Sequence, residues 1–188
     1  MKIEIQKKPP KQYEGNIKIS GTTDVMKLKE IQEIRDATQE HLLFLGLDNS
    51  NNLRTLNLIG VGNSSGIFVN SKDVLRTALL TASDKVILVH NHPSNSLRSS
   101  MQDKELSNKL YKFLNIFNIQ LLDHIIVTEE NYISMMNLKE IDKDYKSPDT
   151  SFVENILLLE ENNRLKKELN NLTAQNNNEL EQSDEMEF

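Results

Sequence analysis

An apolar run that stops abruptly at two histidines constrains the fold of this chain more than any other stretch. Lys85-Val86-Ile87-Leu88-Val89 is rich in β-branched residues and bounded by polar ones, which is typical of a buried central strand. His90-Asn91-His92 follows directly, and Pro93 then ends the strand. Because residues two apart in an extended segment face the same side, His90 and His92 can converge on one metal ion while Asn91 points away.

Composition limits both the size of the fold and the chemistry of any metal site. The 188 residues suffice for one domain with a sizeable core plus appendages. Since the chain has no cysteine, a metal must be held by nitrogen and oxygen ligands. The four histidines are His41, His90, His92 and His124.

Charge and hydropathy indicate which partners and compartments to expect. The net charge of -6 argues against general nucleic-acid binding, because neutralising phosphates requires clustered Lys and Arg. No apolar run approaches the ~20 residues of a membrane span. The N-terminus lacks the apolar segment of a secretory signal, so we expect a cytoplasmic protein.

The segments before the central run predict a helix, a hairpin and a second helix. Apolar residues at helical spacing predict a helix at about 24–35, with Thr23 or Asp24 as its N-cap. Two apolar runs, 40–48 and 53–59, flank a cluster of turn-forming residues and predict a β-hairpin. Ser71-Lys72-Asp73 then predicts a helix start. The apolar face of that helix would comprise Val74, Leu75, Ala78, Leu79 and Ala82.

The segments after the histidines predict one more helix and two more strands. Ser100 is placed to cap a helix that begins near Asp103. Residues 121–127 predict a further strand, and 132–136 predict another strand or the edge of one. Helices alternating with strands after an initial hairpin predict an α/β fold, with a mixed β-sheet sandwiched by helices.

The chain is expected to comprise one main domain with extensions at both ends. We place a leader at 1–20, the metal-binding domain at 21–140, a polar linker at 141–150, a short coiled-coil helix at 151–175 and a disordered tail at 176–188. In the coiled-coil segment, one seam repeats every seven residues and the other contains asparagines at inward positions. The first seam is Leu158, Leu165 and Leu172, and the second is Asn155, Asn162 and Leu169. This pattern favours a homodimer through 155–172.

The loop after Pro93 is long enough to return a third ligand to the histidine pair. Catalytic zinc usually takes three protein ligands, and the first turn of the next helix can present Asp103 beside His90 and His92. Ser100 would then direct its hydroxyl at the bound water or substrate. The plainer alternative is that Ser100 only caps the helix and that Asp103 is there only because the helix dipole favours an acidic residue in the first turn. The histidine pair would then bind no metal.

Three further polar residues are candidates for supporting such a site. Glu40, at the head of the first apolar strand, could serve as the proton acceptor that hydrolysis needs, or could be an ordinary strand-edge charge. Asp123 and His124 lie inside an apolar strand, where they form either a hydrogen-bonded core pair or contacts to the metal ligands. His41 should face the opposite side from Glu40 and is not counted as a ligand.

Taken together, these motifs resemble the JAMM pattern of JAB/MPN metalloproteases. That pattern is a distant Glu, then H-x-H-P-S, then S-x-x-D, matched here by Glu40, His90-Asn91-His92-Pro93-Ser94 and Ser100-Met101-Gln102-Asp103. The Asn between the histidines and the segment Leu122-Asp123-His124-Ile125-Ile126-Val127 resemble the RadC branch, once described as DNA repair proteins. The resemblance covers about residues 20–138.

The resemblance implies a three-layer, cytidine-deaminase-like arrangement that binds one Zn2+ per chain. His90, His92 and Asp103 would be the ligands, Glu40 the general base and Ser100 a donor to the oxyanion. Better-characterised relatives cut isopeptide bonds to ubiquitin-like proteins. The chain departs from the family in its 95–99 loop, which lacks the usual Gly, Asp and second Pro, and it has a short leader where long RadC proteins carry a helical DNA-binding-like region.

Three functions are compatible with these features. The first is a zinc-dependent peptidase or isopeptidase acting on a protein or peptide substrate. The second is a non-catalytic interaction or scaffold module joined to partners through the heptads, and the third is a DNA repair-associated role, which the family name suggests more than the residues do.

Overall fold

The computed structural model describes Tyr13, residues 17–62 and 69–145 and, nearer the C-terminus, residues 161–162, 164–171 and 173. The chain forms two compact units, Met1–Tyr145 and Lys146–Phe188. Most of the predicted leader, the glycine-rich segment at 63–68, the linker after Tyr145 and the tail at 176–188 lie outside the described residues.

A mixed five-stranded sheet forms the centre of the first unit, which confirms the predicted α/β class. Its strands, in the order β2-β1-β3-β4-β5, are β1 (His41–Leu47), β2 (Leu53–Val61), β3 (Lys85–Asn91), β4 (Gln120–Val127) and β5 (Tyr132–Ser134). β3 and β4 are parallel, and the other neighbours are antiparallel. The described residues of this unit also form four helices, α1 (Thr22–Met26), α2 (Lys29–Arg35), α3 (Ser71–Leu80) and α4 (Met101–Ile116). The apolar run at 85–89 is therefore the central strand, as predicted.

Alternating side chains of the inner strands build two hydrophobic cores, one on each face of the sheet. On β1, Leu43 and Leu45 pack with the buried residues of α1 and α2, whereas Leu42 and Phe44 pack with those of α3 and α4. Both cores are needed because the inner strands are apolar on both faces. The helices therefore cover the sheet from both sides, which gives the three layers that the resemblance implied.

The first helix is interrupted, contrary to the prediction of one helix at about 24–35. Leu28 adopts an extended conformation, with φ -67° and ψ 135°, between α1 and α2. It is buried to 4% exposure, and Val25 and Ile31 are buried in the same core. Separating the two short helices at Leu28 thus allows apolar residues of both to reach one face of the sheet.

Other element boundaries also differ from the sequence prediction, and Gly21, instead of Thr23 or Asp24, is the N-cap of α1. Asn70, not the Ser71-Lys72-Asp73 segment, caps α3, because its side chain accepts a hydrogen bond from the backbone N–H of Lys72. Ala82 lies beyond the helix in a left-handed conformation, with φ 49°. At the C-terminal end of the first unit, Ile141 is buried in the core beside α3 and α4, so residues 141–145 belong to this unit and not to the linker.

The described part of the second unit is helical. Residues 161–162, 164–171 and 173 have helical backbone, and Leu165 and Leu169 are 50% and 63% exposed. Leu158, Leu172 and Asn155 lie outside the described residues, and pairing through the heptads remains a prediction. Among the residues with described structure, no helix is both long and apolar enough to cross a membrane.

Gly46 provides a test of how tightly the sheet packs. It pairs with Thr55 on β2 and Val86 on β3, and an added Cβ would overlap the Ser83 hydroxyl and approach Thr55 Cγ2 to 2.8 Å. We therefore expect Gly46→Ala to lower the free energy of unfolding by about 1–3 kcal/mol in a denaturant titration.

Gly21→Ala is the matched control for that measurement. Gly21 is exposed, its backbone is extended and nothing lies within 4 Å of the added Cβ. Gly21 is the N-cap of α1 but makes no side-chain hydrogen bond there, so its replacement should lower the free energy of unfolding by less than about 1 kcal/mol. Equal effects of the two substitutions would contradict the close approach at Gly46.

Candidate metal centre

Three buried side chains that are candidate metal ligands meet at the carboxyl end of β3. His90 and His92 come from the end of that strand, and Asp103 comes from the first turn of α4. The Nε2 atoms of the two histidines are 2.8 Å apart. Asp103 Oδ1 lies 3.2 Å from His90 Nε2, and Asp103 Oδ2 lies 3.7 Å from His92 Nε2.

This geometry fits a small tetrahedral cation. Zinc bonds to histidine nitrogen and carboxylate oxygen are about 2.0–2.2 Å long, which places neighbouring ligand atoms of a tetrahedron about 3.3–3.6 Å apart. The three measured separations bracket that spacing, and one ligand atom from each residue can lie within 4.8 Å of the others. A buried group of two imidazoles and one carboxylate is the donor set of a site that retains an open fourth position.

A capping box at the start of α4 holds Asp103 in place. The Ser100 hydroxyl oxygen accepts a hydrogen bond from the Asp103 N–H at 3.1 Å, and the Ser100 N–H donates to Asp103 Oδ2 at 2.7 Å. The plainer role for Ser100, helix capping, is therefore present in the structure. The hydroxyl also donates to the Asp103 carboxylate, and this contact helps to lower the pKa of Asp103.

The loop between the ligands turns sharply despite its unusual sequence. Asn95 stands where related loops carry Gly and adopts the left-handed conformation, with φ 56°, that asparagine tolerates better than most residues. Its N–H donates to the His92 carbonyl, and its side chain accepts from the Glu129 N–H. The Ser96 carbonyl lies 2.7 Å from His92 Nδ1 and thereby orients the second ligand. The altered loop thus preserves the position of His92.

Charge complementarity within the cluster favours the anionic carboxylate. Burial alone would raise the pKa of Asp103, but contacts with His90 and His92 hold that pKa well below its usual range. Burial also acts to lower the pKa of His92, but Asp103 and the Ser96 carbonyl outweigh it and the pKa is raised. A cation therefore competes with protons on the imidazoles for the Asp103 carboxylate.

Glu40 directly precedes β1, close to the two histidines. Leu42 and His90 are the last pair of the antiparallel β1–β3 register, and continuing that register by two residues would bring Glu40 opposite His92. Directly opposed residues in antiparallel strands share a face. Glu40 is half-buried, and its charge contributes to the raised pKa of His92. The structure thus brings the predicted base close to the predicted ligands.

Asn91 fixes the backbone around Glu40. From the sequence, this residue was expected only to separate the two histidines and to point away from the metal. Its Oδ1 accepts from the His41 N–H at 2.7 Å, and its amide donates to the carbonyls of Gln39 and Ala37 at 3.0 and 3.3 Å. The side chain is fully buried. One residue between the ligands thereby ties the Glu40 segment to the strand that carries them.

Of the two further candidates, only His124 contacts a ligand directly. His124 Nε2 lies 2.9 Å from His90 Nδ1, and burial lowers the pKa of His124 to about 3, so the ring is neutral. Asp123 instead accepts from the backbone N–H groups of His124 and Met136. Burial raises the pKa of Asp123. The ring Nδ1 of His41 contacts the Gln39 carbonyl, in keeping with its exclusion from the ligand set.

Sequence reasoning missed Ser107, which lies on the far side of His124. Its hydroxyl is 2.6 Å from His124 Nδ1 and donates to the Asp103 carbonyl at 2.6 Å. The available signal was its position four residues after Asp103, one turn further along the same helix face. Spacing alone could not indicate that His124 of β4 would lie against that face.

Comparison with known proteins agrees with this fold and site. Residues 19–141 match the family model described as the RadC-like JAB domain. The chain is 32% identical over 119 residues to a UPF0758 protein of Chlorobaculum tepidum, with 63% of this chain and 53% of the relative covered. It is 34% identical over 134 residues to a UPF0758 protein of Methanococcoides burtonii, with 71% and 56% covered. The chain thus spans about half the length of these curated relatives.

The fold and the buried group define an α/β protein with a candidate metal site at the edge of a mixed sheet. Since the family model covers most of the first unit, the chain belongs to the RadC-like JAB domain family.

The capping box gives a prediction that is independent of metal. Ser100→Ala removes the side-chain acceptor of the Asp103 N–H, and we expect it to lower the free energy of unfolding of the metal-free protein by about 1 kcal/mol. Ser100→Thr retains the hydroxyl and should stay within about 0.5 kcal/mol of the original chain. Denaturant titration compares the three proteins, and an alanine variant as stable as the threonine variant would show that the cap contributes nothing.

Proposed function

We propose that this protein is a zinc-dependent hydrolase that cleaves a peptide or isopeptide bond. The observation that carries the proposal is the buried group of His90, His92 and Asp103, with Glu40 close enough for its charge to raise the pKa of His92. Membership of the RadC-like JAB family supports it. The proposed substrate is a protein or peptide.

The proposed chemistry would need a metal ion, Glu40 and Ser100, each with a different role. Bound zinc would supply a Lewis acid that polarises a carbonyl and lowers the pKa of water toward ~7. His90, His92 and Asp103 would hold the ion and leave the fourth position open toward the substrate.

Glu40 would carry the proton during the reaction. Its carboxylate would accept a proton from the attacking water and deliver it to the leaving amine, so that the amine departs neutral. The hydrogen bonds of Asn91 to the backbone at 37–41 keep this carboxylate near the ligands. Because Asn91 holds the backbone on both sides of Glu40, that backbone would lose little conformational entropy when substrate binds.

Ser100 would stabilise the negative charge that develops on the substrate's carbonyl oxygen. The Ser100 oxygen accepts from the Asp103 N–H, which fixes its position, and its O–H would rotate from the Asp103 carboxylate to the oxyanion. A donor whose oxygen is already in place would contribute to catalysis because little else must reorganise in the transition state.

Metal content tests the proposed centre without knowledge of the substrate. We expect about one zinc per chain to copurify, and His92→Ala and Asp103→Ala to lose it, because each removes one of three ligands. Elemental analysis of protein purified without added metal measures this directly. His41→Ala is the matched control, since His41 lies near Glu40 but contacts the Gln39 carbonyl instead of the ligand group.

Glu40→Gln separates metal binding from turnover. The amide cannot accept the proton, so we expect unchanged zinc content and a fall in peptide or isopeptide hydrolysis of about 100-fold or more. Metal-free protein with all three ligands intact, or a Glu40→Gln variant with full activity, would contradict the proposal. Zinc loss in the His41→Ala control would show that metal content reports only general damage to the fold.

The second unit favours a separate proposal, homodimer formation through residues 155–172. Leu165 and Leu169 are exposed on a helical segment whose heptad pattern places them on inward seams. Burying them against a partner would remove apolar surface from water. A scaffold function without catalysis would rest on this segment alone.

Truncation after Pro148 tests the dimer. The full chain should sediment as a dimer and the truncated chain as a monomer, and Leu165→Lys with Leu169→Lys should mimic truncation. Lys166→Ala, on the same segment but outside the two seams, should leave the mass unchanged. Identical masses for full and truncated chains would rule the dimer out.

DNA binding is the remaining alternative, and the acidic composition disfavours it. The net charge of -6 opposes neutralisation of phosphates. A DNA-associated role would require salt-dependent binding, and absence of binding at low salt would exclude it.

A further inference from the structure

A chain of buried hydrogen bonds connects one candidate ligand to the backbone of another. It runs from His90 Nδ1 to His124 Nε2 at 2.9 Å, from His124 Nδ1 to Ser107 Oγ at 2.6 Å, and from Ser107 Oγ to the Asp103 carbonyl at 2.6 Å. His90, His124 and Ser107 are all at most 1% exposed. Water therefore has little access to the groups along this chain.

The direction of the hydrogen bonds in this chain decides whether His90 can bind a metal. A neutral imidazole carries one proton, and its other nitrogen presents a lone pair. His90 can offer the Nε2 lone pair to a metal only if its proton is on Nδ1, where His124 Nε2 must accept it. His124 must then carry its own proton on Nδ1 and donate it to Ser107.

Ser107 can accept that proton because its own proton has another acceptor. If the Ser107 hydroxyl donated to His124 Nδ1, every hydrogen bond in the series would run the other way. His124 would then donate from Nε2 to His90 Nδ1, and the proton of His90 would lie on Nε2, where the metal should bind. The Asp103 carbonyl, four residues earlier on α4, accepts the Ser107 proton at 2.6 Å. Met135 Sδ, at 3.9 Å, is a far weaker acceptor.

We propose that Ser107 is a positioning residue that sets the tautomer of His90 through His124, and so keeps His90 Nε2 free for the metal. This inference rests on the metal centre of the proposed function and adds to it a residue that touches neither metal nor substrate. Groups that orient metal-binding histidines typically contribute about 10–100-fold to metal affinity.

Two adjacent turns of α4 thus serve the same centre in different ways. Asp103 contributes its carboxylate as a ligand and its carbonyl as the end of the hydrogen-bond chain. Ser107 lies one turn later and faces His124 of β4. Removing the Ser107 hydroxyl would leave His124 Nδ1 without its acceptor, so neither tautomer of His124 would be favoured by this contact.

Ser107→Ala in the full chain tests the proposal by zinc affinity. Competition with a chromogenic chelator should show zinc bound about 10–100-fold more weakly than by the original protein. Ser83→Ala is the matched control, because Ser83 is also a buried serine hydrogen-bonded to another hydroxyl, that of Thr81, but lies before the amino end of β3. The control should retain the original zinc affinity.

The histidine tautomers provide a readout that general destabilisation would not move. In long-range 1H–15N correlation spectra of the zinc-loaded protein, the protons of His90 and His124 should be on Nδ1, because without metal the Asp103 carboxylate, 3.2 Å from His90 Nε2, competes for the His90 proton. In Ser107→Ala, the Nε2–H form of His124 should appear, whereas Ser83→Ala should give the original spectrum.

Two results would overturn the inference. One is a proton on Nε2 of His124 in the zinc-loaded original protein, a result that does not depend on the folding of any variant. The other is a Ser107→Ala variant with unchanged tautomers and unchanged zinc affinity. The two proposals fail separately. A protein that binds zinc with the predicted tautomers but cleaves nothing contradicts the hydrolase and not the role of Ser107. Zinc bound with the His124 proton on Nε2 overturns only the role of Ser107, and a protein that binds no zinc contradicts the hydrolase proposal on which that role rests.

Discussion

Parallel pairing of β3 with β4 is the constraint on which the rest of the structure depends. His90 lies beside Ile126 in that register, so both strands end at the same edge of the sheet. The connection between parallel strands must cross the sheet, and here α4 makes that crossing. The helix therefore begins near the carboxyl end of β3, where Asp103 meets the two histidines. In open α/β sheets, ligands commonly bind at this edge for the same reason.

Much of this architecture could be predicted from the sequence because it depends on local patterns. The hairpin, the central strand and α4 each have a periodicity or a turn signal within a few residues. The convergence of His90, His92 and Asp103 could also be predicted, since two of them share a strand face and the third starts the next helix. The interruption at Leu28 could not, because helical spacing continues through it and only burial against the sheet requires the extended conformation.

Contacts between distant elements were equally hard to predict. Ser107 acquires its significance from His124, which is 17 residues away and on a different element. Asn91 acquires its significance from the backbone at 37–41, about 50 residues earlier. Both are small polar residues with ordinary helix or strand neighbours, and neither has a local pattern that indicates a role. Long-range register, which sequence alone does not provide, determines what each of them contacts.

The side chain of Asn91 has a consequence for how such a site could change over time. Its acceptor and both of its amide donors are engaged by the segment that contains Glu40, whereas His90 and His92 face the opposite side of the same strand. A substitution at 91 would therefore disturb the backbone around Glu40, the proposed base, while leaving all three candidate ligands in the sequence. In a hydrolase built this way, the capacity to hold an ion and the capacity to turn over a substrate are separable traits. A descendant could lose the second and keep the first, and would then persist as an inert metal-stabilised domain.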